Sequence, residues 1–278
     1  MYATPASAMN TESVPDSPSG QIHISIEDGV AWFALDNPRK LNAMSLAMWH
    51  TLATALDALE HDPAVRCIVL SATGDKAFCV GADISQLEAH DTGERAAAEY
   101  DGIAKAGVQK LAGFSKPAIA MISGYCLGAG MALAVACDLR IASVGSRFGI
   151  PAAKLGIGYY YAGIKRLSDL IGPSRAKQML FTAAHFPAED MLRIGLIDEL
   201  VPSDMLAAQV GSMAAGIASN APLTIAAAKF AVETAFSEPS ERNLAGCAAR
   251  EQACMSSQDY IEGRRAFREK RAPMFKGC

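Results

Sequence analysis

The first patterned part of the chain alternates apolar and polar residues. Residues 21–28, QIHISIED, have the period of two that is typical of a strand, and Asp28-Gly29 predicts a tight turn into a second strand, VAWFALD. Ser45 is a suitable N-cap for the helix that follows. The apolar residues of that helix recur at intervals of four, four and three: Met48, Leu52, Leu56 and Leu59. The pattern predicts a β-hairpin and then an amphipathic helix.

Short apolar runs and helical segments alternate through the middle of the chain. Buried strands are predicted for CIVLSA (67–72), AIAMI and DLRIAS (138–143), and helices for about 94–114 and for the residues up to about 136. After residue 162 the pattern is almost wholly helical and ends with three longer helices that run to about 271. This order predicts an α/β core over residues 21–200 and a helical C-terminal part over 201–278.

Composition and charge narrow the class of protein. The chain has 278 residues, of which 51% are hydrophobic and 19% are charged, as in globular proteins. The net charge is −4 and no basic block precedes the C-terminus, which argues against a nucleic-acid partner. Residues 1–20, rich in Ser, Pro and Ala and without Lys or Arg, predict a disordered tail and neither a secretory nor a mitochondrial signal.

Two features favour a protein of the cytoplasm. The seven cysteines have irregular spacing, contain no CxxC pair and have no histidine cluster beside them, which fits reduced thiols and no metal site. Residues 117–137 form 21 positions without a formal charge, but glycines interrupt the run at Gly124, Gly128 and Gly130. A buried strand, a turn and a helix are therefore predicted in place of a membrane span.

Two glycine turns carry the most informative chemistry. FCVGADI (78–84) and GYCLGAGMAL (124–133) each follow a buried strand and precede a helix, with small residues at the join. Only Gly and Ala allow a ligand to approach the backbone closely there. The first turn of a helix also leaves backbone N–H groups without a partner. Two such turns that converge would form an anion hole, in which each donor contributes about 3–4 kcal/mol towards a developing oxyanion.

The order of these motifs resembles the crotonase superfamily, also called enoyl-CoA hydratase/isomerase. The resemblance covers about residues 20–278. The motifs that carry it are LNAMS (41–45), FCVGADI, KPAIAMISGYCLGAGMALAVACD (116–138), GLIDELV (195–201) and EGRRAFREKRAPMF (262–275). It implies a crotonase-like ββα-superhelix core and activity as a lyase of fatty acid metabolism. The implied substrate is an acyl-CoA, and no cofactor is implied, since CoA is part of the substrate.

The resemblance also implies which residues form the site. The thioester oxygen would be bound by the N–H groups of Ala82 and Ala129, where Ala129 replaces the middle glycine of the family's triplet. The implied CoA-contacting residues are Lys40, Ala43, Ala82, Asp83, Ile84, Ser85 and Gly128, and Ser85 stands where many members have a lysine. Phe267 and Lys270 resemble residues that complete a neighbouring subunit's pocket, so a homotrimer or a dimer of trimers is implied; the alternative is an ordinary solvated helix.

Both glutamates that hydratases of this family use are absent here. Their positions are occupied by Ala132 and Ala152. Addition of water to a conjugated double bond needs a base for the water and an acid for the α-carbon, and each is worth about 10²–10⁴-fold in rate. Alanine supplies neither group, so hydration by two glutamates is disfavoured.

Three consecutive tyrosines, 159–161, offer a different source of protons. Tyr159 matches a tyrosine of the family's methylmalonyl-CoA decarboxylases, although Ile150 and Ala82 replace a threonine and a histidine of that group. Loss of CO2 generates a thioester enolate without a base, and Tyr159 would then orient the carboxylate or protonate the enolate. The alternative is that the tyrosines pack against the acyl chain or line a subunit contact.

Three hypotheses follow from the sequence. The first is a lyase or isomerase of the hydratase type, with a carboxylate such as Glu88 or Asp91 reaching the pocket. The second is a decarboxylase of a malonyl-type thioester, for which tyrosine hydroxyls should face the oxyanion hole. The third is a CoA-thioester-binding scaffold protein with little catalysis, with the pocket closed by Tyr160 or Tyr161.

Overall fold

The computed structural model describes residues 20–83 and 93–278. The predicted disordered tail lies outside the described residues except for Gly20, and so do four residues named above: Ile84, Ser85, Glu88 and Asp91.

The described residues form an α/β core followed by a helical C-terminal part. The strands are β1 (Gln21–Glu27), β2 (Val30–Asp36), β3 (Cys67–Ala72), β4 (Ala77–Cys79), β5 (Ala118–Ile122), β6 (Tyr125–Leu127), β7 (Leu139–Ser143), β8 (Arg147–Gly149), β9 (Phe186–Pro187) and β10 (Glu199–Val201). The α-helices are α1 (Leu46–Glu60), α2 (Gly93–Ala112), α3 (Ala129–Ala136), α4 (Ala152–Leu155), α5 (Tyr161–Thr182), α6 (Ala188–Arg193), α7 (Leu206–Ser219), α8 (Pro222–Phe236), α9 (Leu244–Met255) and α10 (Gln258–Glu269).

The larger sheet has the strand order β1-β2-β3-β5-β7-β10. The predicted hairpin is confirmed, since β1 and β2 pair antiparallel, and the remaining neighbours in this sheet are parallel. In β3, Ile68 and Leu70 point into the main core, whereas Cys67 and Val69 point into a second core beneath α7. Both faces of the sheet are therefore buried at β3, which explains why its parallel strands consist of continuous apolar runs in the sequence.

A smaller sheet was not predicted. It has the order β4-β6-β8-β9, and its strands are only two or three residues long, too short to show a period of two. The strands β9 and β10 also interrupt the region after residue 162 that was predicted as almost wholly helical. Each pairs with an existing sheet edge, a tertiary contact that the local pattern does not encode.

The helices cover the two faces of the larger sheet. Helix α1 packs against α2 and begins at Ser45, whose side chain accepts a hydrogen bond from the Met48 N–H, as predicted for an N-cap. Helix α5 is interrupted at Gly172, where φ is 77° and Pro173 follows. None of the helices within the described ranges is long and apolar enough to cross a membrane.

Candidate active site at two converging turns

The first turn lies directly after β4 and is attached to the loop before α1. The Met44 N–H donates to the Gly81 carbonyl, and the Asp83 N–H donates to the Met44 carbonyl, each at 2.8 Å. These two bonds flank Ala82, whose own N–H therefore points away from Met44. The Ala82 N–H donates no hydrogen bond to any other described residue.

The second turn joins β6 to helix α3. Gly128 has a φ of 53°, which favours glycine, and its N–H donates to the Gly149 carbonyl at 3.0 Å. Ala129 is the first residue of α3. Its φ is not positive, and its N–H donates to no other residue in the described part of the chain. A free N–H at the start of a helix carries a partial positive charge, so it suits an anion.

Glycines bring the two turns together. A Cβ atom built on Gly128 would lie 3.5 Å from the Gly81 Cα, so the backbones of the two turns are adjacent. A Cβ on Gly130 would lie 2.2 Å from the Cys79 carbonyl oxygen, a distance that no side chain tolerates. The sequence-predicted donors Ala82 and Ala129 thus belong to turns that meet, and both residues pack against the main core.

A partly buried ion pair occupies one side of the first turn. The Lys40 ammonium donates to both carboxylate oxygens of Asp83, at 2.9 and 2.8 Å. The Asp83 side chain is 2% exposed, whereas Lys40 is 36% exposed. Ala43 is buried, and its N–H donates to the Lys40 carbonyl. The structure therefore brings Lys40 and Asp83 together as partners, and their predicted contacts with CoA remain predictions.

The two positions expected to carry catalytic glutamates lie against the same core. Ala132 is buried in the first turns of α3, and its N–H donates to the Gly128 carbonyl. Ala152 is partly buried and begins the short helix α4. Neither methyl group can exchange a proton, so acid or base chemistry needs another side chain.

The three tyrosines have different surroundings. Tyr159 precedes α5, Tyr160 is its N-cap residue and Tyr161 is its first residue. The rings of Tyr159 and Tyr160 stack with centroids 5.5 Å apart, and both cover Gly163, where a Cβ would lie 2.9 Å from either ring. Tyr161 is 76% exposed, so it points to solvent and does not close a pocket within one chain.

Tyr159 is a largely buried phenol. Burial raises the pKa of its phenol above the usual 10, and the nearby Tyr160 and Cys126 raise this pKa further. Its hydroxyl donates no hydrogen bond to another described residue. The described residues contain no fully buried side-chain oxygen without a partner, so the Tyr159 oxygen keeps some accessible surface. Cys126, which influences the pKa of Tyr159, lies in β6 two residues before Gly128. Tyr159 is therefore near the strand that leads into the second turn.

The remaining predicted residues lie in the C-terminal helical part. Phe267, in α10, is 86% exposed, and Lys270 ends this helix in a left-handed conformation with a φ of 52°. Phe267 lines a groove of about 670 Å³ together with Arg264 and Arg268. Their predicted role in a neighbouring subunit's pocket concerns an assembly and stays a prediction.

Two further buried polar residues support the site: Asn42, which lies between the predicted residues Lys40 and Ala43, and Tyr100, which the sequence analysis missed. Asn42 has a φ of 57°, and its side-chain amide donates to the carbonyls of Thr73 and Ala77, which attaches its loop to the start of β4. Tyr100, in α2, donates its hydroxyl hydrogen to the Met44 carbonyl at 2.7 Å. Asn42 lies within LNAMS and its tolerance of positive φ is a signal that was available. No motif surrounds Tyr100.

Comparisons with known proteins agree with this architecture. The sequence profile of the enoyl-CoA hydratase/isomerase family matches residues 25–278. A crotonyl-CoA hydratase of Syntrophomonas wolfei is 33% identical over 249 residues, which cover 90% of this chain and 95% of that protein. A short-chain-enoyl-CoA hydratase of Clostridium acetobutylicum is 34% identical over 245 residues, or 88% of this chain and 93% of that protein.

A solved structure shows the same fold. The crystal structure of an enoyl-CoA hydratase/carnithine racemase from Magnetospirillum magneticum superimposes with a TM-score of 0.85 at 29% identity, covering 92% of this chain and 96% of that one. Because the family profile spans nearly the whole sequence and relatives above 30% identity cover most of it, this chain belongs to the enoyl-CoA hydratase/isomerase family, within the crotonase superfamily.

Proposed function

We propose that this chain binds an acyl-CoA thioester and stabilises its enolate between the N–H groups of Ala82 and Ala129. The observation that carries this proposal is that the two donors belong to adjacent turns and neither donates to another described residue. Such preorganised donors stabilise the charge that develops on a thioester oxygen. The names of the relatives, a crotonyl-CoA hydratase and a short-chain-enoyl-CoA hydratase, support a CoA thioester as the substrate class.

The reaction type follows from the side chains that could move a proton. With alanine at positions 132 and 152, the chain has no carboxylate there to activate water. The carboxylate of Asp83, next to the first turn, is already bound by Lys40. A reaction that forms the enolate without a base therefore suits this site better than hydration does.

Decarboxylation of a malonyl-type CoA thioester is the second, more specific candidate reaction. The Tyr159 hydroxyl favours it, because this hydroxyl donates to no other described residue. The bond between the α-carbon and the carboxylate breaks, CO2 leaves, and the electron pair forms the enolate bound by Ala82 and Ala129. The Tyr159 hydroxyl then donates its proton to the α-carbon, and solvent returns a proton to the phenolate. The phenol is protonated at neutral pH and can therefore supply this proton, although burial raises its pKa and makes it a weaker acid than an exposed tyrosine.

The test is product analysis by mass spectrometry with the purified protein. Crotonyl-CoA, a longer enoyl-CoA, methylmalonyl-CoA and ethylmalonyl-CoA are offered separately, with Tyr159→Phe as the variant and Tyr161→Phe as its matched control. The proposal expects loss of CO2 from a malonyl-type substrate, reduced about 10²-fold or more in Tyr159→Phe and unchanged in Tyr161→Phe.

The other outcomes separate the remaining hypotheses. Gain of one water by an enoyl-CoA would contradict the decarboxylase and indicate a carboxylate supplied from elsewhere, as in the hydratase-type hypothesis. Binding of the thioesters without turnover of any of them would favour the scaffold protein. Absence of any binding would contradict the proposed substrate class.

A further inference from the structure

Tyr100, a buried tyrosine outside the motifs described above, is hydrogen-bonded to the backbone of Met44, the residue that holds the first turn. Tyr100 is 5% exposed and lies in α2. Its hydroxyl accepts a hydrogen bond from the Trp49 indole N–H at 2.9 Å and donates to the Met44 carbonyl at 2.7 Å. Both hydrogen-bonding roles of a phenol are thus used, and the oxygen is held between α1 and the loop before it.

The Met44 carbonyl is the same oxygen that holds the first turn. It accepts the Asp83 N–H at 2.8 Å, while the Met44 N–H donates to the Gly81 carbonyl. Met44 therefore holds the residue on either side of Ala82, and its orientation sets the direction of the Ala82 N–H. The Cys79 thiol adds a weaker contact of 3.6 Å to the Gly81 carbonyl. A second bond to the Met44 carbonyl restricts the rotation of that peptide group.

Oxyanion stabilisation depends on the placement of the donor. The gain requires the N–H to lie about 2.7–3.1 Å from the position of the developing charge, and a displacement of about 1 Å can cost about 10²-fold in rate. A buried hydroxyl that orients the peptide holding the donor is well suited to provide this placement.

We propose that Tyr100 is a positioning residue for the oxyanion hole: through the Met44 carbonyl it orients the Ala82 N–H towards the thioester oxygen. This inference rests on the proposed function, since it assigns a role to Tyr100 only if Ala82 binds that oxygen. Tyr100 itself does not touch the substrate.

The test uses Tyr100→Phe and a spectroscopic probe. Cinnamoyl-CoA is a conjugated thioester whose absorbance shifts to longer wavelength when hydrogen-bond donors polarise its carbonyl group. At saturating protein, which removes differences in affinity, wild type is expected to give a red shift and Tyr100→Phe a smaller one. Tyr161→Phe loses an exposed hydroxyl by the same chemical change and is expected to keep the wild-type shift.

A second variant separates positioning from general loosening. Trp49→Phe removes the indole donor and some core packing but keeps the bond from Tyr100 to Met44. It is expected to lower the stability of the fold in urea at least as much as Tyr100→Phe while retaining the red shift. If the red shift falls in both variants in proportion to their loss of stability, the inference is wrong. If Tyr100→Phe does not fold, loss of the red shift in Trp49→Phe, which keeps the bond from Tyr100 to Met44, contradicts the inference.

The failures of the two proposals are distinguishable. Bound cinnamoyl-CoA without a red shift in wild type contradicts the oxyanion hole itself and, with it, the role of Tyr100. A red shift that is equal in wild type and Tyr100→Phe contradicts only the positioning role.

Discussion

The close approach of Gly130 to the Cys79 carbonyl is a tight residue-level constraint at the site. The start of α3 can touch β4 only because residue 130 has no side chain, and this contact brings Ala129 next to the first turn. Gly211, in α7, provides a contrast. Its φ is helical, and a Cβ there would meet nothing within 4 Å. Substitution by alanine therefore tests a steric clash at position 130 and helix propensity at position 211.

Gly130→Ala is expected to lower the free energy of unfolding by about 1–3 kcal/mol or more, because the backbone oxygen of Cys79 cannot move without displacing β4. Gly211→Ala is expected to raise it by up to about 1 kcal/mol, since alanine favours the helix. Urea denaturation followed by circular dichroism measures both. Equal stabilities of Gly130→Ala and wild type would contradict the contact described for the two turns.

Local sequence does not decide which of the three consecutive tyrosines, 159–161, faces a pocket. Consecutive residues at a helix start point in different directions, so only one or two of the three rings can face a common pocket. Which of them does so depends on the packing of Tyr159 and Tyr160 over Gly163 and on their contact with the main core. That arrangement involves residues distant in the sequence and could not be obtained from local spacing.

Among the elements, helix α8 is joined to the core through a shielded ion pair of Lys229. The Lys229 ammonium donates to an Asp138 carboxylate oxygen at 2.7 Å and to the Lys116 carbonyl at 2.9 Å. The same Asp138 oxygen accepts the Ala118 N–H at the start of β5. The side chain of Lys229 is 11% exposed, so this pair is shielded from solvent far better than a surface ion pair. The bond between Asp138 and the Ala118 N–H joins the starts of β5 and β7.

Lys229→Met is expected to lower the free energy of unfolding by about 1.5–3 kcal/mol, because Asp138 loses a charged partner while the apolar stem of the side chain is retained. Lys177→Met, at an exposed position of α5, serves as the matched control and is expected to change stability by no more than about 0.5 kcal/mol. Chemical denaturation of both variants gives the comparison, and similar values for the two would show that the Lys229 pair does not anchor α8.

Elements with a strong period were predictable, and those formed by pairing were not. The hairpin, α1 and the strands β3, β5 and β7 follow from alternation, capping and apolar runs within a few residues. The strands β4, β6, β8 and β9 exist because they pair with one another across the chain. Their short length leaves no local signal, although they are the strands that support both turns of the site.

At the scale of the whole molecule, buried thiols couple stability to alkaline pH. Burial raises the pKa of Cys67 from 9.0 to about 11, and those of Cys79 and Cys137 to about 12. In the unfolded chain these thiols lose their protons near pH 9, whereas in the native protein they keep them. The native state then binds more protons than the unfolded state, so the stabilisation is complete below pH 9 and is lost as the pH rises through 11 to 12.

The free energy of unfolding in reducing buffer is therefore expected to fall as the pH rises from about 9 to about 11. Cys67→Ala should show a smaller fall over this interval, since one of the titrating thiols is absent. Urea titrations at several pH values measure the slope. A stability that is independent of pH across this interval would contradict the protection of the thiols by the fold.

Residue order alone was sufficient to identify the α/β core, the helical C-terminal part, the family and the two glycine turns, because periodicity, capping and small residues at a join are encoded within short segments. The tertiary structure alone decided that Gly81 and Gly128 lie side by side, that Lys40 is bound by Asp83, and that Tyr100 supports Met44. These contacts join residues far apart in the chain, and they arise from the packing of sheets and helices around one core, which no local pattern specifies.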